Sequence, residues 1–498
     1  EVFAFVEVES GITYGTNISI LQAPMGIVEP IELKMDVYTP AGDDLTDRPV
    51  MIVIGTGNFL PQYFNGGITG AKSDSSTVNI CRELAARGYV AAAFTYRAGW
   101  LPTAEDEDTR RSTLLQAAYR GIQDARSCIR FMRKSADTEG NPYGIDPDKI
   151  GMVGVGTGSY IAYGCGSLYE FEEVLLAKFI NTTTAEPYID SLILGNIYGD
   201  TQALANLPNS PGYSSEIDFS FTLGGALGDI SWIDGEDREA AFAGVHCTQD
   251  IFAPYGNGPV IVPTTEEFVV NVSGNRTAIA EANAKGSNDV LLDSGFDLGL
   301  QAEIEAQKEI TVQPALSAPI EMGTDNFYGF NLPFPQGSPW SWWDKPTLDA
   351  VIAGTNAALG TNFNSDTLHL SGLITNPDMS QEKGRNYIDT VMMLMTPRAC
   401  LALNLDCNLM VSTEEIEAVE VALEIYPNPV SSEFSITTDL NTTIEKVYVY
   451  SIDGKLVKAN QNFNSNNVRI QRDNLSAGIY LVRITTNKGI VTKEIAIN

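Results

Sequence analysis

Histidine is almost absent from this sequence, since only His246 and His369 occur among 498 residues. Imidazole is the side chain that most often acts as a general base or a metal ligand near neutral pH. Two such residues leave little room for a histidine-based metal site or for several proton transfers. The glycine-rich segments at 57–67 and 154–159 also lack the lysine of a phosphate-binding loop. We therefore predict no metal and no cofactor.

Basic side chains are scarce as well, with 31 lysines and arginines against 63 acidic residues and a formal charge of −32. Phosphate recognition requires clustered Lys and Arg, so the sequence argues against nucleic-acid binding. The same shortage argues against docking to anionic lipid through a basic patch. No apolar run reaches the roughly 18 residues that a membrane-spanning helix needs. The chain starts at Glu1 without a signal segment, and we expect a processed mature form.

Cysteine occurs six times, which permits up to three disulfides in any of 15 pairings. Only Cys400 and Cys407 are close enough in sequence to suggest a local loop. Two interpretations stay open, namely buried free thiols and disulfides, and the extracellular location indicated by the C-terminal residues below favours some disulfides. The six residues are Cys81, Cys128, Cys165, Cys247, Cys400 and Cys407.

What the sequence does contain indicates a modular globular protein. Its hydrophobic share of 44% and charged share of 19% are ordinary, and its length predicts two or three domains. Residues 424–498 hold 8 basic and 7 acidic side chains, whereas residues 1–423 hold 23 and 56, a net charge of −33. The stretch 411–424 has five glutamates and no basic residue and is typical of a solvated linker. We predict domains at 1–410 and 425–498, joined by an acidic linker at 411–424.

The first 400 residues alternate short apolar runs with amphipathic segments. Continuous apolar runs are typical of parallel strands covered on both faces, so the pattern predicts a doubly wound α/β sheet. Strands are predicted at Met35–Tyr38, Val50–Ile54, Val90–Tyr96, Ile150–Val155, Ser191–Ile197 and Phe242–His246. Helices are predicted at Ser76–Arg87, Thr109–Lys134, Ser159–Leu168 and Gln381–Leu394.

Residues 255–380 are rich in Gly, Pro and Asn and are predicted to form a cap over the carboxyl edge of the sheet. The segment PFPQGSPWSWWDKP cannot be regular helix or central strand because of its prolines. Its tryptophans, Trp340, Trp342 and Trp343, fit a satellite hydrophobic cluster under a long loop better than a binding surface, and both interpretations stay open.

Four segments of the first domain resemble the carboxylesterase-like α/β-hydrolases. They read MDVYTPAGDDLTDRPVMIVIGTGNF, CRELAARGYVAAAFTYRAGW, AAYRGIQDARSCIRFMR and YGIDPDKIGMVGVGTGSYIA, and a weaker match resumes at NYIDTVMMLMTPRACLAL. In that family the nucleophile is the serine of G-x-S-x-G, on a sharp turn between a strand and a helix. Here the turn reads Gly154-Val155-Gly156-Thr157-Gly158, and Gly156 takes the place of the serine. Glycine adopts the strained backbone freely but has no hydroxyl, so the turn can persist without the reaction.

The other hydrolase positions are mixed. The loop after the second predicted strand resembles an oxyanion segment without its histidine, and main-chain N–H groups could still serve an oxyanion hole there. The segment VHCTQDIFAPY resembles the loop that carries the triad acid, which implies that role for Asp250. His369 follows the acid in chain order but no family motif surrounds it, and His246 matches a strand-terminal histidine rather than the base. The oxyanion candidates are Gly55, Thr56, Gly57 and Thr157.

We therefore expect a hydrolase-like domain without esterase activity, acting in binding, in adhesion or as a surface component. The alternative is an active secreted carboxylesterase or lipase-like hydrolase with a non-standard nucleophile. That alternative requires Thr157 or Ser159 as the nucleophile, with His369 as its base. A plain loop or strand histidine is the simpler interpretation of His369, and a hydroxyl at the start of a helix is the simpler interpretation of Ser159.

The C-terminal segment resembles the C-terminal sorting domain of type IX secretion cargo from the Bacteroidetes. Alternating strands with hairpin signals at Asp453-Gly454 and Asn487-Lys488-Gly489 predict a small β-sandwich there. The resemblance implies export across the outer membrane to the cell surface or the exterior, with recognition by the translocon and by an outer-membrane barrel shuttle protein. It also implies removal of the tail, with release or attachment to surface lipopolysaccharide. A spacer or carbohydrate module is the alternative. The motif residues are Pro427, Asn428, Pro429, Gly454, Lys455, Gly478, Tyr480 and Lys493.

Overall fold

An eight-stranded mixed sheet forms the centre of the first of two structural units. The computed structural model describes residues 3, 5–21, 28–262, 265–292, 298–405, 422–451, 456–460, 463–473 and 475–498. Described residues up to 405 belong to the first unit and those from 422 onward to the second. The predicted linker at 411–424 lies mostly outside the described residues.

The strands of the first unit follow one another in a doubly wound order. The large sheet has the order β1-β2-β4-β3-β5-β6-β8-β13. Its last six strands in this order are mutually parallel. Strand β2 pairs antiparallel with β4, and β1 pairs antiparallel with β2. The strands are β1 Val6–Ser19, β2 Glu29–Pro40, β3 Arg48–Ile54, β4 Val90–Phe94, β5 Ile145–Val155, β6 Phe219–Leu223, β7 Ala226–Leu227, β8 Ala241–Cys247, β9 Asn257–Ile261, β10 Phe268–Gly274, β11 Thr311–Val312, β12 Ile320–Glu321 and β13 Phe327–Phe330.

Helices cover both faces of this sheet, which confirms the predicted α/β class. Alternate residues of β3 belong to different hydrophobic clusters, because Val50 and Ile52 pack with α2 and α3 whereas Met51 and Val53 pack with α1 and α9. The helices are α1 Ser75–Ala86, α2 Glu107–Thr138, α3 Thr157–Ser167, α4 Ser191–Leu194, α5 Asn275–Lys285, α6 Gln301–Lys308, α7 Lys345–Leu359, α8 Ser365–Thr375 and α9 Gln381–Ala402.

One predicted strand is wrong. The apolar run Ser191–Ile197 contains the short helix α4, and the strand that follows α3 in the sheet is β6. The Asp190 carboxylate accepts a hydrogen bond from the backbone N–H of Leu192 at 2.8 Å and so starts a helical turn. Gly195, at a φ of +79°, ends it. A helix cap of this kind outweighs the apolar composition that suggested a strand.

Four of the six cysteines follow the free-thiol interpretation. Cys81, Cys128, Cys165 and Cys247 are free thiols buried in the core. Burial raises the pKa of Cys165 to about 11, which keeps that thiol protonated and inert. Four free thiols leave at most one intramolecular pair, Cys400 with Cys407, and Cys407 lies outside the described residues.

The second unit consists of two antiparallel sheets that share one hydrophobic cluster. The sheet orders are β14-β15-β18 and β17-β16-β19-β20, and residues of both sheets are buried together, including Phe434 of the first and Val447 of the second. The predicted turn at Asn487-Lys488 joins β19 to β20. The strands are β14 Glu424–Tyr426, β15 Glu433–Thr437, β16 Ile444–Ser451, β17 Leu456–Asn460, β18 Asn467–Gln471, β19 Gly478–Thr486 and β20 Gly489–Ile497.

Several motif residues of the second unit make contacts that stabilise its fold. The backbone N–H of Ala496 donates to the Asn428 side-chain oxygen at 2.8 Å, which ties the segment Pro427-Asn428-Pro429 to the last strand. The Tyr480 hydroxyl donates to the Ser476 carbonyl at 3.0 Å. Gly478 begins β19, Lys493 pairs with Val482 in the ladder, and Gly454 and Lys455 lie outside the described residues.

Candidate functional site

The turn between β5 and α3 has the geometry of a nucleophile elbow. Gly156 stands between the two elements with a φ of +53° and a ψ of −113°, a backbone region that side chains with a Cβ enter only under strain. The flanking glycines are needed for a different reason, since a Cβ on Gly158 would lie 2.3 Å from the Ile54 carbonyl oxygen. Strand, turn and helix thus keep the sharp form while the position itself carries no hydroxyl.

The hydroxyl of Thr56 fills the space beside Gly156. A Cβ built on Gly156 would lie 2.5 Å from Oγ1 of Thr56, closer than any real contact allows. Thr56 follows the carboxyl end of β3, and Gly156 follows the carboxyl end of β5. The loop therefore has a shape that accommodates glycine and excludes an unadjusted serine at position 156.

The oxyanion-like loop has its amide groups partly occupied. The N–H of Thr157, the residue after the nucleophile position, donates to Oγ1 of Thr56 at 3.4 Å. The N–H of Asn58 donates to Oγ1 of Thr157 at 2.8 Å. Gly55 and Gly57 flank Thr56 in the same loop. Two of the amides near the elbow thus point at threonine hydroxyls instead of at an open position.

Asp250 lies where the sequence resemblance put the acid, directly after β8, and its nearest imidazole is His246. Nε2 of His246 is 3.2 Å from Oδ2 of Asp250. The contact is not aligned as a hydrogen bond, because neither ring nitrogen of His246 has a hydrogen-bond partner among the described residues. Sequence reasoning assigned His246 to the scaffold and missed this contact, although the spacing of four residues across a strand end is a usable signal.

His369 is not paired with this carboxylate. It lies on α8, and its Nδ1 accepts a hydrogen bond from the indole N–H of Trp343 at 2.9 Å. Within the described parts of the chain, no carboxylate is within ion-pair distance of the His369 ring. The geometry therefore does not bring Gly156, Asp250 and His369 together as a catalytic triad.

The two hydroxyls that could replace the missing serine are engaged elsewhere. Oγ of Ser159 is fully buried and donates to the Gly154 carbonyl at 2.9 Å. Oγ1 of Thr157 accepts the Asn58 N–H and also lies 3.4 Å from Oγ1 of Thr56. Neither hydroxyl has an imidazole as its partner, which a nucleophile of this type requires.

A cavity of about 420 Å³ opens beside the elbow. Gly156, Thr157 and Asp250 line it, together with Trp340 and Trp343 from the segment between β13 and α7. These two tryptophans also pack against hydrophobic clusters, so the binding-surface and the cluster interpretation both apply to them. Most of the wall is apolar, and the size is within the range of small-molecule sites.

Comparisons with known proteins identify the C-terminal part of the chain. Residues 424–498 match the family model described as secretion system C-terminal sorting domain. These residues are therefore a sorting domain, which marks the protein as type IX secretion cargo exported across the outer membrane to the cell surface or the exterior. Ulvan lyase NLR42 of Nonlabens ulvanivorans is 29% identical over 139 residues, 26% of either protein, so the chain spans about a quarter of that curated relative.

Solved structures with similarity to the chain include esterases. Esterase 2 of Thermogutta terrifontis phosphorylated by paraoxon is 17% identical, covers 51% of this chain and 74% of its own, and has a TM-score of 0.28. The propionate-bound esterase of the same Planctomycetes species is 18% identical, with 45% and 70% covered and a TM-score of 0.28. Similarity at this level does not bear on activity. Among the described residues, no helix is long and apolar enough to cross a bilayer.

Proposed function

Because residues 424–498 are a sorting domain, we propose that the exported protein uses its first unit to bind a ligand in the cavity beside Gly156, without cleaving it. The single observation that carries this proposal is the pair formed by Gly156 and Thr56. Glycine supplies no nucleophile, and Oγ1 of Thr56 occupies the space that a side chain at position 156 would need. The cavity remains open next to that blocked position.

The arrangement of the histidines supports a binding role over catalysis. A general base must lie within hydrogen-bond reach of the proton that it removes. His369 does not line the cavity and is hydrogen-bonded to Trp343. His246 is fully buried and does not line the cavity either. Only the acid, Asp250, faces the ligand space, and a carboxylate alone does not activate a hydroxyl nucleophile as an imidazole does.

Hydrolysis of short p-nitrophenyl esters by the purified full chain tests this proposal. We expect rates no higher than the buffer background, and no change in the variants Asp250→Asn and His369→Ala. An active secreted carboxylic ester hydrolase would instead show turnover that falls in one or both variants. Turnover that Asp250→Asn abolishes would contradict the binding role, whereas turnover unaffected by either variant would point to a contaminant, which a second purification step removes.

The partners of the second unit belong to the same proposal. The sorting domain is recognised by the type IX translocon and by an outer-membrane barrel shuttle protein, and after removal of the tail the first unit is released or attached to surface lipopolysaccharide. The first unit then acts at the surface in binding or adhesion. The match of residues 424–498 supports the contact with the secretion machinery, and the attachment rests on the sequence resemblance alone.

A single disulfide between Cys400 and Cys407 completes the proposal. The other four cysteines are buried free thiols, so this is the one pair that remains. The pair lies at and beyond the end of α9, Gln381–Ala402. A bridge there is compatible with the oxidising exterior to which the protein is exported.

A further inference from the structure

The charge of the cavity narrows the class of ligand that it can hold. Asp250 is the only acidic or basic side chain among the described residues that line the cavity. We infer that the cavity binds an amphiphile with an aliphatic chain and a head group that donates hydrogen bonds or is cationic, an alcohol or an amine, and that it rejects fatty-acid carboxylates. This inference rests on the proposed function, because it presupposes that the cavity holds a ligand.

The Asp250 carboxylate has acceptor capacity left for such a head group. Its Oδ1 accepts the N–H of Phe252 at 2.8 Å, and a carboxylate offers about four acceptor positions. Glycines flank both oxygens, since a Cβ on Gly337 would lie 3.1 Å from Oδ1 and one on Gly224 would lie 3.4 Å from Oδ2. With glycine at both positions, no side chain covers the carboxylate from those two directions.

A second polar group stands near the carboxylate. Tyr160 lines the same cavity, and burial together with the negative charge of Asp250 raises the pKa of its phenol. The phenol therefore stays neutral and cannot compensate a negative ligand charge. The buried imidazole of His246 approaches Oδ2 of Asp250 without lining the cavity, so it contributes no donor to the ligand space.

The remainder of the wall suits an aliphatic chain. Its most buried side chains come from α2, from the segment between α3 and β6, from the segment between β7 and β8, and from β10. Removal of methylene groups from water into such surroundings is favourable. The apolar wall includes Leu114, Ile122, Val174, Phe179, Trp232 and Val272.

Electrostatics decides which head group is accepted. A carboxylate beside Asp250 would place two negative charges close together in a site of low dielectric, with no Lys or Arg among the described lining residues to separate them. Amide and hydroxyl groups of the lining, such as those of Asn58 and Ser338, can donate hydrogen bonds to a carboxylate but carry no positive charge that would offset the repulsion. An ammonium or a hydroxyl meets the single carboxylate favourably instead. We expect an affinity at least about tenfold higher for the amine than for the carboxylate of equal chain length.

Competition for a fluorescent apolar probe by dodecylamine, 1-dodecanol and sodium dodecanoate tests this inference on the full chain, below the critical micelle concentrations. The expected order is amine, then alcohol, then carboxylate. In Asp250→Asn the preference for amine over carboxylate should fall to about threefold or less, while the alcohol retains its affinity. Asp237→Asn is the matched control, because it removes the same charge from an exposed residue that does not line the cavity. The order of affinities for the three ligands should be the same in this variant as in the parent protein.

The outcomes separate the two proposals. If the alcohol binds and dodecanoate binds as tightly as the amine, or if Asp250→Asn leaves the preference intact, the head-group inference is wrong and cavity binding stands. If none of the three displaces the probe and the parent protein is folded, the cavity does not hold these amphiphiles and the head-group inference fails; binding of the apolar probe itself then decides whether cavity binding stands. If Asp237→Asn changes the order as much as Asp250→Asn does, the preference arises from the net charge of the protein and not from the cavity.

Discussion

The substitution Gly156→Ser is expected to destabilise the first unit although it restores the hydrolase motif. Two costs add at this position. A residue with a Cβ in the backbone conformation of Gly156 costs on the order of 1–3 kcal/mol. The new Cβ would also meet Oγ1 of Thr56 at 2.5 Å, so Thr56 must leave its rotamer, at a cost of about 0.5–1.5 kcal/mol. Together these effects predict a loss of about 1.5–4.5 kcal/mol in the free energy of unfolding.

A double-mutant cycle with Thr56→Ala isolates the contact between the two residues. Thr56→Ala alone removes only long hydrogen bonds, such as the 3.4 Å bond from the Thr157 N–H, and should cost less than about 1 kcal/mol. The double variant should be more stable than the sum of the single effects by about 1 kcal/mol. The relief is partial, because Cβ of residue 56 would still lie 3.0 Å from the new Cβ.

Urea denaturation followed by tryptophan fluorescence measures these effects on the first unit, because all five tryptophans precede residue 344. Gly42→Ser is the matched control, since Gly42 also has a positive φ, +69°, but no neighbour within 4 Å of its Cβ position. It should show the backbone cost without the steric cost. If Gly156→Ser is no more destabilising than Gly42→Ser, and the cycle shows no coupling, then Thr56 does not fill the space that a side chain at position 156 needs.

Three further predictions concern pH, redox state and export. Burial raises the pKa of Asp74 to about 7, above the value near 4 that it has in an unfolded chain. The folded protein therefore binds the proton of this carboxyl more tightly than the unfolded chain does. The resulting contribution to the free energy of unfolding is complete below about pH 4 and is lost as the pH rises through about 7. Asp74→Asn should therefore reduce the fall in urea midpoint between about pH 5 and about pH 8; an unchanged fall would refute the assignment. Alkylation before and after reduction, read by mass spectrometry, should show Cys400 and Cys407 protected only before reduction, and early labelling of both would exclude the bridge. Deletion of residues 424–498 should trap the first unit in the periplasm, and its appearance in the medium would contradict the sorting role.

The parts of the fold that sequence predicted best are those set by local hydrophobic pattern. The sequence predicts helix α1 to within one residue at each end. It predicts the C-terminal end of strand β3 exactly. Both elements bury apolar side chains in a periodic or continuous pattern, which is why the sequence reveals them. The segment Ser191–Leu194 was mistaken for a strand because its apolar composition resembles one, whereas the Asp190 cap and the exposure of Leu192 decide for a helical turn. The Asp190 cap is a local signal that the apolar composition obscures, whereas the exposure of Leu192 is a tertiary fact that the sequence does not contain.

The candidate site was predictable in its residue types but not in its contacts. The loss of the serine at position 156 can be read directly from the sequence. The contact of Thr56 with that position joins residues one hundred apart, and it depends on the parallel pairing of β3 with β5, which no local pattern specifies. The contact of Asp250 with His246 is local by comparison, because only four residues separate the two across the end of β8, and that spacing is visible in the sequence. Long-range register decides only the contact of Thr56 with Gly156.

The proximity of His246 to Asp250 does not by itself restore an acid–base pair. A catalytic imidazole accepts a proton from a nucleophile on one side and is oriented by the acid on the other. His246 has no hydrogen bond to either side within the described residues, and it is shielded from the cavity. Of the three groups that hydrolysis needs, only the carboxylate reaches the ligand space. A carboxylate without a base and without a nucleophile is a hydrogen-bond acceptor and a fixed negative charge, and those two properties are what a donor head group requires.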